Sequence, residues 1–83
     1  MKVKIFTREG CVYCPQVKKF FTNFGVEFEE IDAVDNYEYS QLGFITVPVI
    51  VYEQHLMAGY NAGYLMKIVN SWKENNELLK GDQ

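Results

Sequence analysis

Cys11 and Cys14 are the only cysteines in this 83-residue chain, and only Val12 and Tyr13 separate them. Thiols at this spacing can close a disulfide on each other. Where a helix begins at such a pair, its free backbone N–H groups and the positive end of its dipole can hold the first sulfur as a thiolate. The chemistry this suits is thiol–disulfide exchange, whose attacking species is the thiolate. An ordinary thiol is only roughly a few per cent ionised at neutral pH, and a hundredfold gain in acidity, about 2.7 kcal/mol, makes the thiolate the major form. The helix start and Arg8, three residues before Cys11, are expected to share that task. Cys11 precedes the helix and is expected to be the more exposed sulfur, hence the nucleophile. Cys14, in the first turn, would resolve the mixed disulfide by attacking Cys11 and releasing the reduced target. Other readings of the pair are a zinc site, an iron–sulfur cluster bridged between two subunits, and two buried, inert thiols. Zinc needs about four ligands, and beyond the cysteines the chain has only His55 and carboxylates, so no metal site is expected. His55 itself reads as a partly exposed hairpin residue.

This chemistry needs a strand ending just before the pair and a helix opening on it. Lys2 to Thr7 alternates, with Val3 and Ile5 on one face, as a buried strand does. Arg8-Glu9-Gly10 follows as a loop, and Gly10 frees the backbone for its turn. From Val12 to Phe24 the apolar residues Val17, Phe20, Phe21 and Phe24 recur at helical spacing, and Gly25 is a stop. Pro15 suits the first turn, where its missing N–H would have had no intrahelical partner. Val26 to Ile31 reads as a second strand, which a right-handed crossover lays parallel to the first. Asn36 to Leu42 is a short helix capped by Asp35 or Asn36 and closed by Gly43. Val49 to Tyr52 and Leu56 to Ala58 are strands around Glu53-Gln54-His55. Ala62 to Trp72 shows Leu65, Ile68, Val69 and Trp72 on one face, and a helical tail is expected through Leu78 and Leu79 to Gly81. The order is βαβαββα, an α/β protein with one domain over residues 1–83.

Composition narrows the partners. Hydrophobic residues at 48% and aromatics at 16% fill one small core and cannot build two. The net charge of −3 comes without a basic stripe, so no nucleic-acid footprint is present. Acids gather at Glu27, Glu29, Glu30, Asp32 and Asp35, which reads as a solvated edge strand guarded against pairing with other chains, or else as a docking patch. Met1 runs straight into the first strand, so neither a leader nor a membrane span is expected and the compartment expected is the cytoplasm. In a reducing compartment a lone Cys-x-x-Cys is catalytic or metal-binding rather than a staple.

With the first strand, the Cys-x-x-Cys at the next helix and Thr46-Val47-Pro48 before the third strand, the sequence resembles the glutaredoxins over nearly its whole length. The resemblance implies a thioredoxin-like fold, a four-stranded mixed sheet flanked by helices, with a cis Val47–Pro48 bond across from the active disulfide. Tyr13 stands where the family pattern Cys-Pro-Tyr-Cys has its tyrosine, and its ring is expected either to flank a docked thiol substrate or to pack half-buried on the loop. Val12 replaces the family proline, so the reduction potential does not carry over. The same Cys-Val-Tyr-Cys tetrapeptide occurs in a bacteriophage redoxin of this superfamily, which suggests a phage origin.

Glutaredoxins that use glutathione as co-substrate grip it with a basic residue before the first cysteine, the Thr-Val-Pro segment, and a Gly-Gly followed by a pair ending in Asp. Arg8, Thr46, Val47, Pro48 and Gly59 match this pattern. The acid is absent, since Tyr60-Asn61-Ala62 stands there, and Asn61 offers a helix cap and neutral hydrogen bonds. The chain also resembles the redoxins of the NrdH type, which thioredoxin reductase reduces, in Val12 and in Ala58-Gly59-Tyr60. Those proteins usually have Gln at Tyr13 and Arg-Pro at Asn61-Ala62. Either resemblance implies ribonucleotide reductase as a disulfide target and a monomer with no bound cofactor. A different class is a non-catalytic binding subunit, in which the thiols would be incidental.

Overall fold

The computed structural model describes residues 2–81, with side chains described through residue 76. Its elements are β1 (Val3–Thr7), α1 (Cys14–Asn23), β2 (Phe28–Asp32), α2 (Tyr37–Leu42), β3 (Val49–Tyr52), β4 (His55–Ala58) and α3 (Ala62–Gly81). The strands form one sheet in the order β2-β1-β3-β4. β1 runs parallel to β2 and antiparallel to β3, and β3 and β4 form an antiparallel hairpin.

Strand periodicity sends alternate residues to opposite faces. Val3 and Ile5 of β1 join Ile50, Tyr52 and Met57 beneath α1 and α3, where Val17, Phe21, Leu65, Ile68 and Val69 close the larger core. Phe6 points the other way, with Val49 and Ala33, into a smaller core covered by Tyr39, Leu42, Phe44 and Val47. Both faces of β1 are therefore covered, which is why Phe6 is as buried as the residues it alternates with. Trp72 packs on the rim of the larger core.

Several boundaries differ from the periodicity by a residue or two, and three of them have a visible partner. α1 begins at Cys14 rather than Val12, because the first helical bond runs from the Val17 N–H to the Tyr13 carbonyl (3.0 Å), which makes Tyr13 the N-cap. β2 begins at Phe28 rather than Val26, because the Val26 N–H is taken by the Phe21 carbonyl at the end of α1 (2.9 Å). β4 gains His55, whose ring meets Tyr64 edge-on at 6.0 Å. The short helix is capped as expected: the Asn36 carboxamide accepts from the Tyr39 N–H (2.8 Å), and Gly43 closes it at φ 82°. α3 runs on to Gly81; the side chains of Leu78 and Leu79 lie outside the described residues.

The acidic strand is an edge, as its charges suggest. β2 exposes Glu29 and Glu30, and Glu30 accepts from Lys18 and from the Thr7 hydroxyl, each at 3.0 Å. Charged side chains on an open edge oppose its pairing with a second chain.

The disulfide end of the sheet

Because β1 and β3 are antiparallel, the C-terminal end of β1, the N-terminal end of β3 and the C-terminal end of β4 lie at the same end of the sheet. Three segments far apart in sequence meet there: Arg8 to Cys14, Thr46 to Pro48, and Gly59 to Asn61.

The first segment is set by a tight turn. The Cys11 N–H donates to the Arg8 carbonyl (3.1 Å), and Gly10, the third residue of that turn, has φ +86°. A left-handed third position is the mark of a turn that favours glycine. Cys11 is thereby delivered to the mouth of α1. The two cysteines are joined in a disulfide with Cα atoms 5.5 Å apart. The Cys14 N–H, the first of α1, points at the Cys11 sulfur from 3.1 Å. Tyr13 contributes no side-chain cap, so the sulfur takes the role that a Ser or Asp oxygen has at other helix starts. The same donor and the same dipole end would face a thiolate at Cys11 after reduction. Cys14 is 3% exposed and Cys11 more open, which is the expected asymmetry.

Val12 (72% exposed) and Tyr13 (51%) project from the turn into solvent. Of the two expectations for Tyr13, the ring is the exposed one. Arg8 is also exposed and borders an open polar depression with Thr7, Glu9, Glu30 and Asp32. It thus neighbours the carboxylates of β2, on the flank away from β4. Glu30 is held below the usual carboxylate range, chiefly by the Lys18 hydrogen bond, against a small burial penalty and with help from Thr7.

The second segment contains the cis Val47–Pro48 bond. Pro48 is buried, Val47 half-buried and Thr46 exposed. The third is tied to it directly, since the Gly59 N–H donates to the Pro48 carbonyl (2.8 Å). Tyr60 then reaches back to the first segment's helix, its ring edge-on to Phe20 at 6.3 Å. Asn61 caps α3: its carboxamide oxygen accepts from the Tyr64 N–H (3.0 Å), and its backbone carbonyl from the Leu65 N–H (2.9 Å).

Two residues at this end were not among those singled out from sequence. Ile45, 86% exposed, stands beside Thr46; an apolar β-branched residue in a short loop before a proline is the signal that could have found it. Tyr39 donates its hydroxyl to the Thr46 carbonyl (2.6 Å), a partnership with no sequence signature. Among the described residues no three His, Cys, Asp or Glu side chains converge as metal ligands, and no helix is long and apolar enough to cross a membrane.

Comparison with known proteins agrees with this geometry. The chain is 32% identical over 74 residues to the Gene 56 protein of Mycobacterium phage L5, covering 82% of this chain and 72% of that one. It is 26% identical over 70 residues to the glutaredoxin-like protein NrdH of Lactococcus lactis, covering 80% and 97%. Among solved structures it is similar to the glutaredoxin-like protein NrdH-redoxin from Escherichia coli, for which a thioredoxin-like activity profile is described. That match has a TM-score of 0.72 and 26% identity, covering 82% of this chain and 95% of that one. It is also similar to the glutaredoxin from Brucella melitensis, with a TM-score of 0.59 and 31% identity, covering 100% and 92%. The glutaredoxin sequence family matches residues 3–57, the stretch that carries the disulfide, the cis proline and most of the β3–β4 hairpin. By that match and by its thioredoxin-like fold, the chain belongs to the glutaredoxin family of thiol–disulfide oxidoreductases.

Proposed function

We propose that the protein is a dithiol donor to protein disulfides, with Cys11 as nucleophile and Cys14 as resolving thiol. The observation that carries this reading is the asymmetry at the start of α1. The open sulfur of Cys11 receives a helix N–H, while Cys14 is buried. In the reduced protein the Cys11 thiolate attacks a target disulfide, forms a mixed disulfide and expels one target thiolate, which takes up a proton. The Cys14 thiolate then attacks the Cys11 sulfur, closes the Cys11–Cys14 bond and expels the second target thiol. Two electrons pass to the target. A disulfide of ribonucleotide reductase is the first candidate, in keeping with the NrdH relatives.

The reductant proposed is a flavoprotein of the thioredoxin reductase kind. Asn61 supports this, because glutathione would need an acid there for its amine, whereas Asn61 is neutral and its carboxamide oxygen already accepts from the Tyr64 N–H. The thioredoxin-like profile described for the Escherichia coli neighbour points the same way. Arg8, Thr46, Val47, Pro48 and Gly59 favour a second reading, in which glutathione is the co-substrate. Turnover of a small mixed disulfide, run with NADPH and either thioredoxin reductase or glutathione plus glutathione reductase, separates the two. Turnover confined to the first arm supports the proposal, and turnover confined to the second replaces the reductant. Silence in both arms favours a binding subunit. The cytoplasm is the compartment that suits such an electron donor.

A further inference from the structure

The sheet ends in β2 on one side and β4 on the other, and the two edges are differently made. β2 exposes carboxylates, whereas β4 is His55-Leu56-Met57-Ala58, with no carboxylate, lysine or arginine. On the α2 side of the sheet Leu56, 41% exposed, and Ala58 are left bare. Antiparallel partners alternate between pairs that exchange main-chain hydrogen bonds and pairs that do not. The Gly59 N–H donates to the Pro48 carbonyl, so by alternation Met57 is bonded to Ile50 and His55 to Tyr52. Leu56 and Ala58 therefore turn their N–H and C=O groups outward, away from β3. Among the described residues, the outward group that has a partner is the Leu56 N–H, which donates to the Tyr64 hydroxyl of α3 at 3.4 Å. The Tyr64 ring is braced there by the His55 ring, edge-on at 6.0 Å, and by the Lys67 ammonium, 5.9 Å from its centre.

We propose that β4 is a self-pairing edge that fits a second copy of this chain, and that Tyr64 holds it closed. One antiparallel register uses every outward group. It sets Leu56 opposite Ala58 of the second copy and Ala58 opposite its Leu56, with a two-fold axis between the two Met57 residues. A large side chain then meets a small one on both sides of the axis, and no like charges meet along residues 55–59. Self-pairing at β2 would instead gather carboxylates from both copies, which is why the second copy belongs at β4. The Tyr64 hydroxyl stands where the Ala58 carbonyl of the second copy would have to accept from the Leu56 N–H, so the ring in this position excludes the pairing. Edge strands are protected by charge or by cover; β2 has the first and β4 the second.

The test is the mass of the full chain in solution, measured by light scattering over a range of concentrations. Wild type is expected at the mass of one chain throughout. Tyr64→Ala removes the ring and its hydroxyl, and its mass should rise with concentration to that of two chains. Adding Leu56→Lys, which puts a charge on the bared edge, should return it to one chain. A folded Tyr64→Ala protein that stays at one chain overturns the proposal, as does a wild type already at two. So does a dimer that Leu56→Lys leaves intact, or growth past two chains, which marks a contact that does not close. Amide hydrogen exchange checks the guard with the ring in place. Tyr64→Phe keeps the ring on His55 and should speed exchange at the Leu56 amide about fivefold, what one hydrogen bond supplies, with the Met57 amide unchanged. A Leu56 amide that exchanges as in wild type overturns the proposal.

Discussion

Asn61→Asp would supply the acid whose absence separates this chain from glutathione-dependent relatives. Asp and Asn are equally good helix caps, and a negative charge at an N-terminus gains about 0.3–1 kcal/mol from the dipole, so α3 should be kept or slightly strengthened. A carboxylate has two acceptor oxygens where the carboxamide has one. One can go on accepting from the Tyr64 N–H, now held by Asn61 at 3.0 Å, and the second is left free for an amine. A charge-assisted hydrogen bond contributes about 1.5–3 kcal/mol when sheltered. Residue 61 is exposed, so screening reduces this to about 1 kcal/mol, roughly a fivefold gain. The assay is kcat/KM for glutathione in the glutathione reductase arm, measured beside the thioredoxin reductase arm. The expected outcome is a fivefold rise in the first, removed by high salt, and no change in the second. If the variant is folded and its glutathione kinetics match wild type, the missing acid is not what limits glutathione, and the argument from Asn61 fails.

Cys14→Ser should accumulate a mixed disulfide through Cys11, visible by mass spectrometry after acid quench, while Cys11→Ser should abolish exchange. An equally abundant adduct on Cys14 alone would reverse the roles. Gly10→Ala tests the turn that delivers Cys11. A Cβ at this position meets nothing within 4 Å, so the cost is that of the φ of +86° alone. Denaturant unfolding should show a loss of about 1–2 kcal/mol, and an unchanged midpoint would mean the turn relaxes freely. Lys18→Met should remove the hydrogen bond that holds Glu30 below the usual carboxylate range. A group whose folded pKa is depressed stabilises above its unfolded pKa, and that contribution is lost as pH falls through the folded value. Wild type should therefore exceed the variant by under about 1 kcal/mol at pH 7, with the gap closing in acid. A gap independent of pH would place the effect elsewhere.

Much of this molecule is legible in its sequence because the relevant physics is local. Strand alternation at Val3 and Ile5, helical spacing of Val17, Phe20 and Phe21, and the Asn36 and Gly43 caps each depend on residues within a few positions of one another. The same holds for the asymmetry between Cys11 and Cys14, since position relative to a helix start decides which sulfur is open and which is enclosed. Boundaries were less legible. Val26 has the composition of a strand residue, but its N–H goes to the end of α1, a competition that periodicity does not express.

The sequence by itself determined the redox pair, the order of elements and the side on which each apolar stripe must be buried. Tertiary structure decided what stands around the pair. That Gly59 bonds Pro48, that Tyr60 meets Phe20, and that the Tyr39 hydroxyl reaches the Thr46 carbonyl all follow from the antiparallel β1–β3 pairing and the crossovers that place α1 and α2 on opposite faces of the sheet. The same packing selects Glu30, out of five neighbouring acids, for Lys18 and Thr7. Such contacts depend on strand register and on side-chain direction across elements; a one-residue slip of β2, for example, would turn Glu30 to the other face of the sheet.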